Sequence, residues 1–192
     1  MKAALITIGV LLLLAVFAAA KFIGTRNELA TEREAVNAQW SQVDVALERR
    51  ADLIPNLVAT VKGYAAQEVT VFGEVDKARE ALLGAQTPAA AIAANGQLDG
   101  ALGHLLAIVE NYPQLKSNEN FLQLQDELAG TENRISVERK RYDDDIQDYN
   151  TYIGLFPNNL IARWAGYKRN DAYFTASPAA QAVPQVSFPG PQ

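Results

Sequence analysis

The feature that most constrains this fold is an uncharged apolar stretch near the beginning of the chain, Ala3–Ala20. It contains no proline and one glycine. As an α-helix rising about 1.5 Å per residue, it would reach roughly 27 Å, close to the thickness of a bilayer's hydrocarbon core. Phe22 and Ile23 extend it, because the Lys21 side chain can reach the headgroups. We therefore predict a single-pass transmembrane anchor over residues 1–25.

A cleaved signal peptide is the alternative interpretation of the same stretch. Lys2 would form its basic region and Ala18–Ala20 its cleavage site. Against cleavage, the basic region holds only one lysine, and the apolar segment continues past Gly24 into sequence of good helical character. We favour a retained anchor.

The charges that flank the anchor give its orientation. Lys2 and the terminal amine lie on one side, and Lys21, Arg26 and Arg33 lie on the other. The positive-inside rule therefore favours a cytoplasmic location for the bulk of the chain, with a periplasmic location as the alternative.

Apolar residues recur after the anchor with the period of a helix. Leu29, Val36, Trp40, Val43 and Leu47 are separated by steps of seven, four, three and four. No proline interrupts this stretch, so the membrane helix is predicted to continue into the soluble part without a flexible linker.

Pro55 is predicted to end this first helix in a turn over residues 52–56, with Asp52 as a cap of the next helix. The second helix should then run from Leu57 to Leu82 and end at Gly84–Pro88, and a third should span about Ala89–Tyr112.

The fourth helix has the most regular pattern, with Ser117 or Asn118 as its cap. Its apolar seam resembles heptads sustained for about five repeats. The register comprises Phe121, Leu124, Leu128, Thr131, Ile135, Glu138, Tyr142, Ile146, Tyr149, Ile153 and Phe156. Pro157 should end the helix, and a short amphipathic helix should follow over Leu160–Ala165.

These patterns predict an all-α fold, with an elongated antiparallel helical bundle over residues 26–165. Residues 166–192 contain four prolines and many alanine, serine and glutamine residues. We expect an extended or disordered tail there.

Composition argues against several classes of function. The net charge is -5, whereas nucleic-acid binding normally requires clustered basic residues. The chain has no cysteine and one histidine, His104, and it lacks a nucleophile elbow, a P-loop and a dinucleotide fingerprint. The run Asp143–Asp145 is typical of a solvated helix face, since it lacks the ligand spacing of a calcium loop. We expect no enzymatic activity, no cofactor and no metal site.

Two polar clusters are candidate interaction sites. The alternative for both is a structural role, namely capping and ion pairing for the first and core packing of the aromatic residues for the second. The first comprises Arg49, Arg50, Asp52, Asn56 and Lys62. The second comprises Tyr149, Asn150, Phe156, Pro157 and Asn159.

Three ordered blocks of residues form one pattern along the chain. The first is Trp40–Val45 with Leu47, Arg49–Arg50, Asp52–Val58 and Val61–Tyr64. The second is Asn118–Phe121 with Leu124, Glu127–Leu128 and Thr131–Ile135. The third is Tyr149–Asn150 with Phe156–Pro157 and Asn159–Ala162. Together the blocks resemble the LemA family, and the resemblance covers nearly the whole chain.

The resemblance implies a single-pass protein of the bacterial inner membrane with an antiparallel helical bundle, and it implies no activity. A relative in magnetosome-forming bacteria connects the family with membrane biogenesis. We therefore expect a non-enzymatic scaffold that forms homo-oligomers and organises membrane assemblies. The alternative is an adaptor that binds another membrane protein, a protease or a transporter, through a helix joint at Pro55.

Overall fold

The computed structural model describes residues 2–175 and confirms the all-α class. Helices account for most of that range, which contains no β-strand. The helices are α1 (Lys2–Lys62), α2 (Val69–Leu83), α3 (Pro88–Val109), α4 (Pro113–Lys116), α5 (Glu119–Gly154) and α6 (Asn158–Ala165).

The chain forms two compact units. Unit 1 contains the described residues up to Leu53 together with Gln125–Ala172, and unit 2 contains Ile54–Leu124 and the described residues after Ala172. Two of the three divisions therefore fall inside α1 and inside α5, and the third follows Ala172. The predicted domain limits at residues 25 and 165 remain predictions.

In unit 1, α1 and α5 pack side by side in opposite directions. Gln39 donates a hydrogen bond to Glu138 (2.8 Å), and Arg49, further along α1, pairs with Glu127, an earlier residue of α5 (3.3 Å). Next to the first of these pairs, the Trp40 ring contacts that of Tyr142, with centroids 5.2 Å apart. The core of this contact consists of fully or almost fully buried side chains: Leu29, Val36, Val43, Leu47, Ile135, Tyr142 and Ile146.

The predicted register of α5 is confirmed over most of its length. Asn118 caps the helix, since its Oδ1 accepts a hydrogen bond from the Phe121 N–H (3.0 Å). Every register position from Phe121 to Ile153 is buried or half-buried. The prediction wrongly included Phe156 in the register. α5 ends at Gly154, and the Phe156 side chain is 81% exposed.

The predicted helix break at Pro55 is wrong. α1 continues through this residue to Lys62. A proline inside a helix costs about 3 kcal/mol, but each fully buried aliphatic side chain contributes about 1.5–3 kcal/mol. Ile54, Leu57 and Val58 are all buried, whereas Pro55 itself is exposed. Packing on the buried face of the helix therefore outweighs the missing hydrogen bond.

The predicted second helix is in fact two segments, the end of α1 and α2, separated by residues 63–68. Apolar periodicity concealed this interruption because the buried residues on both sides stay in phase. Val61, Ala65 and Phe72 are buried at steps of four and seven. The predicted end at Gly84–Pro88 is confirmed, since α2 ends at Leu83 and α3 begins at Pro88.

The third helix forms as α3, with the Thr87 hydroxyl capping its first turn through the Ala90 N–H (3.2 Å). α6 begins two residues earlier than predicted, at Asn158. Gly166 caps its C-terminal end with a φ of 80°, a backbone conformation that suits a residue without a Cβ. Residues 167–175 are not helical. The rest of the predicted tail, residues 176–192, lies outside the described residues.

Replacing Pro55 by alanine should raise the free energy of unfolding, by up to about 3 kcal/mol, because alanine restores the missing N–H donor. Chemical denaturation of the full chain in detergent, followed by circular dichroism, measures this. The neighbouring exposed change Asn56→Ala is the control and should shift stability by less than about 1 kcal/mol. A loss of stability in Pro55→Ala would contradict an unbroken helix here.

Candidate functional site

The first predicted cluster divides between the two units. In unit 1, Arg50 is 7% exposed and its guanidinium lies 2.9 Å from the Glu132 carboxylate. Arg49 is exposed and pairs with Glu127, while Asp52 is exposed without forming part of that pair. Burial gives the Arg50 pair a structural role, because a buried charge that loses its partner is costly.

The two remaining residues of this cluster belong to unit 2. Asn56 is exposed, and the Lys62 ammonium lies over the Phe72 ring, 5.1 Å from its centroid. Two residues later, the Tyr64 hydroxyl accepts a hydrogen bond from Asn118 (3.0 Å). The last turn of α1 thus contacts α2, and the residues directly after α1 contact the cap of α5. The structure shows no ligand-binding arrangement among these side chains.

The second cluster contains a clamp, which we define as Tyr149 and Asn150 with the segment 167–172. The Tyr149 hydroxyl donates to the Lys168 carbonyl (2.7 Å). Asn150 donates to the Asn170 carbonyl (2.6 Å) and accepts from the Asn170 N–H (2.9 Å). Both side chains are buried. They therefore hold the segment against α5.

The other members of this cluster lie beyond the end of α5. Phe156 and Pro157 are exposed, and Asn159 is half-buried in the first turn of α6. The structure therefore separates the cluster into two buried clamp residues and a turn with an outward-facing aromatic ring.

A groove between α1 and α5 was not predicted. It has a volume of about 500 Å³, and the Val45 side chain, 60% exposed, lies along it. The absence of a side chain at Gly130 leaves room on the α5 side, while Arg49, Glu127 and Arg134 bring charges of both signs to its rim. Valine at an exposed position of α1 was the only signal in the sequence.

Like charges meet on the anchor-proximal part of unit 1. Partial burial raises the pKa of Glu32, and the negative charges of Glu28, Asp148 and Asp145 raise it further. The pKa of Asp145 is also raised, first by partial burial and then by Asp148 and Asp144. These carboxylates repel one another at neutral pH.

Elsewhere the titratable groups that the sequence singled out have polar partners at the surface. His104 is exposed, with Nδ1 3.2 Å from a Glu74 oxygen. Asp144 accepts from the Lys140 ammonium (2.6 Å). Within residues 2–175, no group of three or more histidine, aspartate or glutamate side chains is arranged to hold a metal ion.

These features define a class of protein: a helical bundle whose first helix carries a segment long and apolar enough to cross a membrane, fully exposed within the fold. The chain belongs to the LemA family, whose model matches residues 39–188.

Curated relatives agree with this membership. Magnetosome protein MamQ 2 of Paramagnetospirillum magneticum is 29% identical, over 88% of this chain and 73% of its own length. Magnetosome protein MamQ of Magnetospirillum gryphiswaldense is 29% identical, over 83% and 69%. Protein LemA of Metamycoplasma hominis is 23% identical, over 74% and 65%.

The carboxylate cluster predicts a pH-dependent effect of Glu32→Gln. The folded-state pKa of Glu32 is raised. Its contribution to the stability of the fold is therefore most favourable at low pH and is lost as the pH rises through that pKa. The variant should therefore be more stable than the natural chain at pH 7, by about 0.2–0.5 kcal/mol, and the difference should shrink towards pH 4.

Denaturant titrations at several pH values measure this difference. Glu34→Gln is the matched control, since Glu34 is exposed and lies beside Arg33 (3.7 Å). Glu34→Gln should not increase the free energy of unfolding at pH 7. An equal gain in both variants would refute a local effect at Glu32.

Proposed function

We propose that the protein is a membrane-anchored, non-enzymatic scaffold whose copies associate and thereby organise membrane assemblies. The observation that carries this proposal is the continuity of α1. One helix contains both the apolar segment and the residues that pack against α5, with no loop between them. A bundle joined to its anchor in this way is held at the membrane without a flexible tether.

The likeness to the magnetosome proteins supports work at a membrane-bound assembly rather than catalysis. Among the described residues, the groove between α1 and α5 is a surface suited to contact with another protein. The adaptor alternative required a joint at Pro55, and that basis is lost because α1 continues through the residue.

The groove beside Val45 is the surface that we assign to self-association. The seam of α5 that the sequence suggested is already packed against α1 of the same chain. The groove, in contrast, is open, partly apolar and bordered by charges of both signs. In a two-fold contact each patch meets its own copy, so Arg134 of one chain would face Glu127 of the other.

Val45→Asp should weaken self-association, because a carboxylate would have to be desolvated in the contact. The measurement is the mass of the detergent-solubilised full chain by light scattering over a range of concentrations. Val69→Asp, at an exposed valine of unit 2 (70%, against 60% for Val45), is the matched control and should leave the mass unchanged. A monomeric natural chain, or equal effects of both variants, would refute the proposal.

Deletion of residues 176–192 tests the contribution of the tail without disturbing the clamp, which ends at residue 172. A deletion that began at Gly166 would remove Lys168 and Asn170 from their partners on α5. The oligomer mass should be the same in the full chain and in the shorter one if the groove is sufficient.

We place the anchor in the bacterial inner membrane, with unit 2 and the part of unit 1 that follows the anchor in the cytoplasm. Lys21 and Arg26 on the far side of the apolar segment support this orientation. A phosphatase that is active only outside the cytoplasm, fused at the carboxyl end, should be inactive, and a fluorescent protein fused there should be bright. Lys21→Glu with Arg26→Glu should reduce this preference. An active phosphatase in the natural chain would refute it.

A further inference from the structure

An exposed apolar edge follows α5, and none of its members serves the core of unit 1. We define the edge as Leu155, Phe156, Leu160 and Trp164, whose exposed fractions are 55%, 81%, 56% and 78%. Leu160 and Trp164 are four residues apart on α6 and share one face of that helix. Ala162, on a different face of α6, is buried. The helix therefore turns Leu160 and Trp164 outward, while Ala162 is buried and Ile161 is half-buried.

Two contacts hold α6 against the end of the apolar segment of α1. The Trp164 ring packs edge-on against Phe22, with centroids 5.2 Å apart. The Thr25 hydroxyl donates a hydrogen bond to Asn158 (3.4 Å). Phe22 comes two residues after the uncharged stretch, so these contacts place α6 at the position along α1 where that stretch ends.

The end of α5 also lies beside the part of α1 where the apolar stretch ends. Tyr152 lines a cavity of about 440 Å³ together with Phe17, Lys21 and Gly24 of α1. Phe17 belongs to the apolar segment itself and is 60% exposed. The edge and the membrane segment are thus neighbouring apolar surfaces of one unit.

The chemistry of the edge matches the interfacial region of a bilayer. Tryptophan is enriched where hydrocarbon meets headgroups, and short amphipathic helices bury their apolar face at that depth. Lys21 and Arg26 of α1 and Arg163 of α6 are exposed and are suited to anionic headgroups, although Glu28 also lines the cavity beside Tyr152. Exposed aliphatic and aromatic side chains on the same segments as these cations fit a lipid surface better than an aqueous one.

We propose that the edge is a second membrane contact, which inserts Phe156, Leu160 and Trp164 among the headgroups of the bilayer that α1 crosses. This inference rests on the proposed anchor. The chain would then be attached to the bilayer at two places, through the membrane segment and through the edge. Together these attachments would fix both the rotation of the bundle in unit 1 about the axis of α1 and the distance of that bundle from the bilayer.

The two tryptophans of the chain permit a direct test with the full-length protein in phosphatidylcholine–phosphatidylglycerol liposomes. Trp40→Phe leaves Trp164 as the reporter of the edge. Trp164→Phe leaves Trp40, which lies roughly 27 Å further along α1 than Phe22 and serves as the matched control. Fluorescence is quenched either by lipids carrying a spin label near the headgroup or by aqueous iodide.

We expect the shallow lipid label to quench Trp164, its emission to shift to the blue and iodide quenching to be lost on reconstitution. Trp40 should show none of these lipid-dependent changes. Phe156→Ser with Leu160→Ser should reduce the lipid quenching of Trp164, while Val137→Ser, at an exposed valine elsewhere in unit 1, should not. Circular dichroism should be the same in all variants.

Flotation of the liposomes separates the two proposals. A chain that floats with the liposomes while Trp164 stays open to iodide would overturn the second contact and leave the anchor in place. Protection from iodide without lipid quenching would also overturn it, because another protein surface would then cover the edge. A chain that does not float would overturn both the anchor and the second contact.

Discussion

The antiparallel contact between α1 and α5 is the constraint on which unit 1 depends. A long helix is stable in water only when tertiary packing covers its apolar face. The α5 seam supplies that cover through Ile135, Tyr142 and Ile146, and the Trp40–Tyr142 contact gives it a defined register. Because the same helix carries the apolar segment, the packing that stabilises the bundle also determines which side chains lie nearest to that segment.

The sequence predicted the helices well where a local pattern coincides with burial. The α5 register succeeded because a repeat of threes and fours over more than thirty residues matches the period of a helix and not that of a strand. It failed at Pro55, where a strong local signal for a break is outweighed by buried Ile54, Leu57 and Val58. The prediction of helix boundaries also failed at residues 63–68. A break between two helices whose buried residues stay in phase leaves the apolar pattern unchanged.

The candidate site was less predictable, since its properties depend on which side chains meet across helices. The burial of Arg50 and its pairing with Glu132 require the alignment of α1 with α5, which no local pattern encodes. The groove depends on Gly130 of α5 and Val45 of α1 lining the same space. Phe156 continued the apolar spacing of α5 and was therefore assigned to the core, yet the helix ends two residues before it. Tyr149 and Asn150 were selected as interaction residues, and the structure uses them to bind the chain's own backbone.

The clamp has a mechanical consequence. After α6, residues 167–172 run back along α5, so that Lys168 meets Tyr149 and Asn170 meets Asn150. Tension applied to the chain beyond residue 175 would therefore reach these hydrogen bonds before it reached α6. These three hydrogen bonds would therefore have to break before such a force could separate α6 from α1.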